Sequence, residues 1–253
     1  MPDTADAQHH VKPFIYETLT TKALHFSISE IQSRMQSQRP LALDQDYTRT
    51  MMGFLLFDDS PLRIGMIGLG GGSLAKFCRA HLPAARIDVV EINPHVIALR
   101  DVFHVPPDDA LFAVRRGDGA DFARTPPHAM DLLMVDGYDA EGIPPALCSQ
   151  AFYDDCRAAL QPDGLLVANL HTGHAEHVTH VERIRRAFDG QLLAVPDADT
   201  GNTIVFACNG RRIERARTAP LRRPRHFDAA AWEELRPSLG AVLGALRGAA
   251  ESE

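Results

Sequence analysis

Short apolar runs alternate with amphipathic segments through the middle of the chain. The runs predict strands at about residues 63–68, 86–91, 111–115, 130–136 and 164–170. The amphipathic segments predict helices that begin near Ser73, Pro94, Gln150 and Ala175. Strands that alternate with helices form a parallel sheet with helices on both faces, so this pattern predicts an α/β fold.

The end of this pattern departs from strict alternation. Two further strands are predicted at about 191–195 and 203–207, with only residues 196–202 between them. A connection of that length suits a hairpin and is too short for a crossover helix. The sheet is therefore predicted to be mostly parallel with a terminal antiparallel hairpin.

Residues before and after the predicted sheet also show the spacing of regular secondary structure. Apolar and polar residues alternate between 23 and 36, at Leu24, Phe26, Ile28 and Ile31, which predicts a small β hairpin. Residues 44–57 have the spacing of a helix, and so do residues 228–247, which contain Trp232.

A glycine-rich turn follows the first strand of the predicted sheet. Gly68, Gly70, Gly71 and Gly72 stand where the chain must turn sharply into a helix and where the backbone can approach a ligand. Glu91 ends the next strand about 20 residues later, the position from which a carboxylate holds the hydroxyls of a ribose. The turn and Glu91 together indicate a nucleotide or nucleoside site. The alternative is a glycine loop that packs tightly and binds nothing.

Carboxylates also follow the third and fourth predicted strands. Asp118 follows the third, and Asp136 and Asp139 follow the fourth. Ligands in open α/β sheets bind beyond the carboxyl ends of the strands, so Glu91, Asp118 and Asp136 are predicted to line one crevice. For Asp118 a helix cap and an adenine contact are equally good interpretations. Asp136 precedes a loop, 137–145, which favours a functional role.

Composition and charge narrow the classes of function. The chain has 253 residues, 45% of them hydrophobic, and a net charge of −7, which argues against nucleic acid as a partner. No apolar run is long enough to span a membrane and the first residues do not resemble a signal peptide, so we expect a cytoplasmic protein. The arginine-rich stretch 211–226 is interpreted as a solvated connector, and RNA binding is the weaker alternative.

No metal site is predicted. Cys78, Cys148, Cys156 and Cys208 form no Cys-x-x-Cys pair and are expected to be buried as small hydrophobic residues. Histidines recur at steps of three, and on a helix such steps drift around the axis, so these side chains cannot converge on one ion. They are His171, His174, His177 and His180. Of these, His171 is the one expected to border the crevice.

Several of these segments resemble one known family. They are Gly68 to Ser73, Val-Glu-Ile-Asn at 90–93, Gly-Asp-Gly at 117–119, Val-Asp-Gly-Tyr-Asp-Ala-Glu-Gly-Ile-Pro-Pro-Ala-Leu at 135–147, and Phe-Tyr at 152–153. Over about residues 24–208 the chain resembles spermidine synthase and its relatives. These are aminopropyltransferases with the S-adenosylmethionine-dependent methyltransferase fold and a small N-terminal β domain.

The resemblance implies a role for each matching residue. Gly68, Gly70, Gly71, Gly72 and Glu91 would hold decarboxylated S-adenosylmethionine or a related adenosyl sulfonium, with no metal. Asp118 and Gly119 would contact adenine, and Gln32 would reach the nucleoside. Asp136 would contact the cosubstrate and take a proton from the attacking amine, while Tyr47 and Asp139 would bind that amine. The family usually forms dimers, so we expect a homodimer.

The pattern of the chain and the resemblance together predict a division of the chain. Residues 1–22 form a flexible N-terminus and 23–60 a small β and helical region. Residues 61–210 form a Rossmann-like nucleoside-binding domain, and 211–253 an Arg/Pro-rich connector with a C-terminal helix.

Three departures from the family concern the amine. Gly71 stands where the family has an aspartate that grips the aminopropyl amine. Tyr47-Thr48-Arg49 replaces a Tyr-His-Glu or Tyr-Gln-Glu segment, and residues 198–201 replace a loop that lines the polyamine site. They predict a transferase with an amine acceptor other than plain putrescine. The alternatives are an S-adenosylmethionine-dependent methyltransferase and a non-catalytic nucleoside-binding protein of the same fold.

Overall fold

The computed structural model describes residues 10–27, 31–138, 142–197 and 201–249. A small antiparallel sheet at the N-terminus consists of β1 (Phe14–Glu17), β2 (Thr21–His25) and β3 (Ile31–Gln36). The sequence pattern predicted β2 and β3 but no strand before residue 23. Strand β1 lies at the edge of the sheet with most of its residues exposed, so it lacks the apolar alternation of a half-buried strand.

Seven strands form the main sheet. They are β4 (Arg63–Ile67), β5 (Arg86–Glu91), β6 (Phe112–Arg116), β7 (Met130–Val135), β8 (Leu160–His171), β9 (Leu192–Asp197) and β10 (Asn202–Cys208). Their order is β6, β5, β4, β7, β8, β10, β9. Neighbours from β6 to β8 pair in parallel, and β10 pairs antiparallel with both β8 and β9. The prediction of a mostly parallel sheet with a terminal antiparallel hairpin is confirmed.

Eight α-helices occur in the described ranges. They are α1 (Asp46–Met51), α2 (Ser73–His81), α3 (Pro94–Ile97), α4 (Gly119–Arg124), α5 (Gln150–Ala158), α6 (His177–Ala187), α7 (Arg212–Ala216) and α8 (Ala229–Gly248). Helices α2, α3 and α5 begin at the predicted residues. Helix α6 begins two residues later than predicted, and α4 was not predicted because it is a short helix of only six residues. The predicted 44–57 helix is α1 continued by a 3₁₀ turn, Met52–Leu56.

Side chains of the central strands alternate between the two faces of the main sheet. On β7, Leu132 and Met134 join the core that also contains residues of α2 and α8, whereas Leu133 and Val135 join the core formed with α5 and α6. This alternation follows from the pleat of a strand, and burial on both faces explains the continuous apolar run. The four cysteines are buried and unpaired, as expected.

The C-terminal helix is docked on the domain. The Asp228 carboxylate accepts a hydrogen bond from the Ala231 amide at 2.8 Å and caps the start of α8. Leu235, Leu239 and Val242 are at most 1% exposed and face the core shared with the main sheet. The helix predicted at 228–247 is confirmed, and none of the helices in the described ranges has the length and apolar composition that a bilayer span requires.

The arginine-rich stretch is attached to the same domain. Arg212 pairs with Asp58 and Arg215 pairs with Asp163. Part of the stretch forms α7, and the Arg215 side chain is still 62% exposed. The local sequence could not reveal these two ion pairs because both partners are distant in the chain.

Truncation of a buried leucine on α8 is expected to destabilise the protein. Leu239→Ala should lower the free energy of unfolding by about 2 to 5 kcal/mol, because it removes buried methyl groups and leaves a cavity. The matched control is Leu19→Ala, since the Leu19 side chain is 99% exposed. Urea unfolding measures both variants. Equal losses for the two would contradict the docked position of α8.

Candidate active site

A cavity of about 790 Å³ opens at the carboxyl ends of the parallel strands. It lies where β4 pairs with β5 on one side and with β7 on the other, which is the switch point at which open α/β sheets bind ligands. Most of the predicted site residues line this cavity. They are Gln32, Tyr47, Gly68, Gly70, Glu91, Asp118, Gly119 and Asp136.

The glycine turn brings two loops into backbone contact. Gly68 has φ +94°, and a Cβ atom there would lie 2.3 Å from the Asp136 carbonyl oxygen. Gly70 and Gly72 also have positive φ values, +52° and +69°. A side chain at position 68 would therefore push the loop after β4 away from the loop after β7.

Glu91 is held by backbone amides. Its Oε2 accepts from the Leu69 amide at 2.9 Å and its Oε1 accepts from the Asn93 amide at 2.8 Å. Burial raises the pKa of Glu91, and the hydrogen bonds from these amides act in the opposite direction. The carboxylate is fixed beside the glycine turn and keeps acceptor capacity for ligand hydroxyls.

Asp118 caps a helix and lines the cavity at once. Its Oδ1 accepts from the Ala120 amide at 2.6 Å and from the Asp121 amide at 3.4 Å, at the start of α4. Gly119 is buried, and a Cβ atom there would lie 2.4 Å from Ile67 Cγ2. The helix-cap interpretation is confirmed, and the same position also borders the cavity.

Asp136 lies at the end of β7 with donors on both oxygens. Tyr47 Oη donates to Oδ2 at 3.2 Å and Asn169 Nδ2 donates to Oδ1 at 2.8 Å. Burial raises the pKa of Asp136, while both hydrogen bonds lower it. A carboxylate with a raised pKa that faces a cavity is suited to accept a proton.

Two residues of this group were not predicted from the sequence. Asn169 lies on β8, two residues before its end and beside Asp136, and Tyr138 Oη donates to the Asn169 carbonyl at 3.0 Å. Both line the cavity. The signal for Asn169 in the sequence is a polar side chain near the carboxyl end of an apolar strand.

Two of the predicted site residues, Gly71 and Gly72, are not among the described residues that line the cavity. A Cβ atom at Gly71 would lie 2.6 Å from Ser33 Oγ and 3.1 Å from Phe103 Cδ1. Ser33 itself lines the cavity from β3. The serine thus occupies space beside the turn that a side chain at position 71 would need.

A buried ammonium lies next to this contact. Lys76 is 2% exposed and its Nζ donates to the Phe103 carbonyl at 2.8 Å, with Met35 Sδ at 3.2 Å. Burial lowers the pKa of Lys76 to about 8. Within the described ranges no carboxylate lies within ion-pair distance of it. This side of the turn therefore carries a hydroxyl and a cation.

The cavity is also lined by Asn202, His171 and His174, so His171 borders it as expected.

Asp139 and residues 198–200 lie outside the described residues. Arg49 pairs with Asp46 and donates to the Leu43 carbonyl, so its guanidinium is directed away from the cavity. In the part of the chain that the structure describes, no three or more His, Cys, Asp or Glu side chains are placed to hold a metal ion.

A family comparison and a comparison with individual proteins both match this chain to polyamine synthases. The family described as "Spermine/spermidine synthase domain" matches residues 44–192. The polyamine aminopropyltransferase of Chromobacterium violaceum is 39% identical over 194 residues, which cover 76% of this chain and 74% of that protein.

Solved structures share the fold at low sequence identity. A probable spermidine synthase from Corynebacterium glutamicum has a TM-score of 0.68 and 20% identity, covering 81% of each chain. Human methyltransferase-like protein 13 in complex with SAH has a TM-score of 0.59 and 22% identity, covering 80% of this chain and 93% of that one. The methyltransferase-like fold is thereby confirmed.

Removal of the Asp136 charge is expected to stabilise the folded protein near neutral pH. The folded state raises the pKa of this carboxyl, so its contribution to stability is present below the unfolded pKa of about 3.9 and is lost as pH rises through the folded pKa. Asp136→Asn should unfold at higher urea concentration than the wild type at pH 7, and the difference should shrink towards pH 4.

Asp101→Asn is the matched control because Asp101 is exposed. Urea unfolding from pH 4 to 8 measures both variants. A difference between Asp136→Asn and the wild type that does not change with pH would contradict the raised pKa.

Proposed function

This chain belongs to the spermine/spermidine synthase family, and from that premise we propose that it transfers an aminopropyl group from decarboxylated S-adenosylmethionine to an amine. The observation that carries the proposal is the position of Asp136, a partly buried carboxylate at the cavity wall with Tyr47 and Asn169 as its donors. The glycine turn and Glu91 would hold the nucleoside, with Gln32, Asp118 and Gly119 around it. Cytoplasmic location and a homodimer stay predictions.

Asp136 would act as the base in this reaction. A protonated amine has no free electron pair, so the acceptor nitrogen must lose a proton to attack. The Asp136 carboxylate would take that proton while nitrogen bonds to the carbon next to the sulfonium. The carbon–sulfur bond breaks, its electron pair stays on sulfur, and methylthioadenosine leaves. Asn169 and Tyr47 would keep the carboxylate oriented through these steps.

The acceptor would differ from plain putrescine. A diamine carries a second cation, which favours a second carboxylate in the site. Near Asp136, the described residues of the cavity wall carry phenol, imidazole and amide side chains. Among them are Tyr138, His171 and Asn202. Asp139 stays a predicted contact for the amine chain.

Transfer of a methyl group from S-adenosylmethionine is the second candidate. The glycine at position 71 supports it, because it offers no carboxylate for an isolated ammonium and a Cβ atom there would lie 2.6 Å from Ser33 Oγ. S-adenosylmethionine carries a carboxylate that its decarboxylated form lacks, so it does not depend on a carboxylate at position 71. Human methyltransferase-like protein 13, with the same fold, has been solved with SAH.

Replacement of Asp136 should separate catalysis from binding. Asp136→Asn is expected to lower kcat for methylthioadenosine formation by about 10² to 10⁴, because the variant has no base. The affinity for methylthioadenosine should stay close to that of the wild type. The assay uses decarboxylated S-adenosylmethionine with a panel of amines, and calorimetry gives the affinity. Asp101→Asn is the control, and equal rates for wild type and Asp136→Asn would exclude Asp136 as the base.

Introducing an aspartate at position 71 should not create an amine site. Gly71→Asp is expected to lower stability, since the new side chain would collide with Ser33 and Phe103, and to leave the affinity for decarboxylated S-adenosylmethionine no higher than in the wild type. Gly244→Asp is the control because a Cβ atom there meets nothing within 4 Å. Calorimetry with both forms of the cosubstrate measures the effect. A stable variant that binds the decarboxylated form more tightly would contradict the role given to Ser33.

A further inference from the structure

Three exposed apolar side chains meet at one cavity. Val11, Ile31 and Ile92 are 49%, 44% and 47% exposed, and all three line the cavity. Exposed aliphatic groups on a cavity wall gain free energy when a ligand removes them from water. Ile92 directly follows Glu91 in the chain, so this apolar surface adjoins the carboxylate expected to hold ribose.

Val11 comes from the N-terminal segment, here residues 10–13, which precedes β1. One side chain ties this segment to the strand that carries Glu91. Asn93, which is 6% exposed, donates from Nδ2 to the Val11 carbonyl at 2.8 Å. Because 82 positions separate the two residues, this bond is a tertiary contact and not a local turn.

Asn93 makes two more contacts that fix its own position. Its Oδ1 accepts from the His95 amide at 2.9 Å and caps α3, and its backbone amide donates to Glu91 Oε1 at 2.8 Å. A single residue thus connects Glu91, the start of α3 and the N-terminal segment.

We propose that Val11 forms a wall of the nucleoside subsite and that Asn93 is the residue that positions it. The inference rests on the proposed function, since it assigns new residues to the same nucleoside site. The ligand chemistry that fits is a purine nucleoside. Its flat base would pack against the aliphatic side chains, and its ribose hydroxyls would donate to Glu91. His10 lines the cavity next to Val11 and belongs to the same wall.

Substitution of Val11 in the full chain tests the wall. Val11→Asp is expected to weaken methylthioadenosine binding about fivefold to tenfold, because the apolar contact is lost and a charge would be desolvated. The matched control is Val178→Asp, since Val178 is 77% exposed and does not line the cavity. Calorimetry measures both affinities. Equal affinities of the two variants would overturn the assignment of Val11.

A double-mutant cycle tests the positioning role of Asn93. Asn93→Asp keeps an oxygen for the His95 amide but has no hydrogen to donate to the Val11 carbonyl. It should weaken methylthioadenosine binding in the wild-type background and add little when Val11 is already aspartate. Fully additive effects would show that Asn93 acts through Glu91 or α3 alone and would overturn its positioning role.

Hydrogen exchange of the unmodified chain gives an independent readout. Methylthioadenosine is expected to slow exchange of amides in residues 11–16, because the ligand would hold the N-terminal segment against the cavity. Unchanged exchange there, with slower exchange around residues 68–73 and 91–93, would overturn the wall but leave the nucleoside site intact. Absence of any binding by the wild type would overturn both proposals.

Discussion

The geometry of the cavity depends on the close approach of two backbone segments, the turn after β4 and the loop after β7. The Asp136 amide donates to the Ile67 carbonyl at 2.9 Å, and the Asp136 carbonyl lies against Gly68. Only a residue without a side chain permits this approach. The loop proposed to bind the nucleoside and the carboxylate proposed to take the proton therefore hold a fixed position relative to each other. Transfer between two bound molecules depends on such fixed geometry.

Two carboxylates of the cavity, Glu91 and Asp136, are stabilised in different ways. Glu91 accepts hydrogen bonds from backbone amides, which cannot rearrange without moving the glycine turn. Asp136 accepts from the side chains of Tyr47 and Asn169, which come from α1 and β8. A carboxylate that backbone amides hold in place, such as Glu91, is suited to bind a ligand while its own charge stays unchanged. A carboxylate held by side chains suits a change of protonation state, since its donors can adjust to the proton.

Much of the fold and part of the site could be predicted from the sequence. The run that ends at Asp136 and the run that ends at Glu91 are continuous apolar segments, and parallel strands end at one edge of a sheet. Glu91, Asp118 and Asp136 could therefore be assigned to one cavity. Asn169 was missed because an amide at a strand end has many ordinary structural uses. Strand β1 was missed because it is exposed, so its residues show no alternation.

The sequence by itself determined most strands and helices of the main sheet domain, the glycine turn and the carboxylates at the strand ends, because these follow from periodicity and backbone conformation within a few residues. The tertiary structure alone decided that Ser33 fills the space beside Gly71, that Lys76 is buried near Phe103, and that Asn93 holds Val11 over the cavity. These contacts join residues far apart in the chain. Local pattern shows which face of an element a side chain occupies, but packing of the N-terminal sheet against the main domain selects which side chains meet.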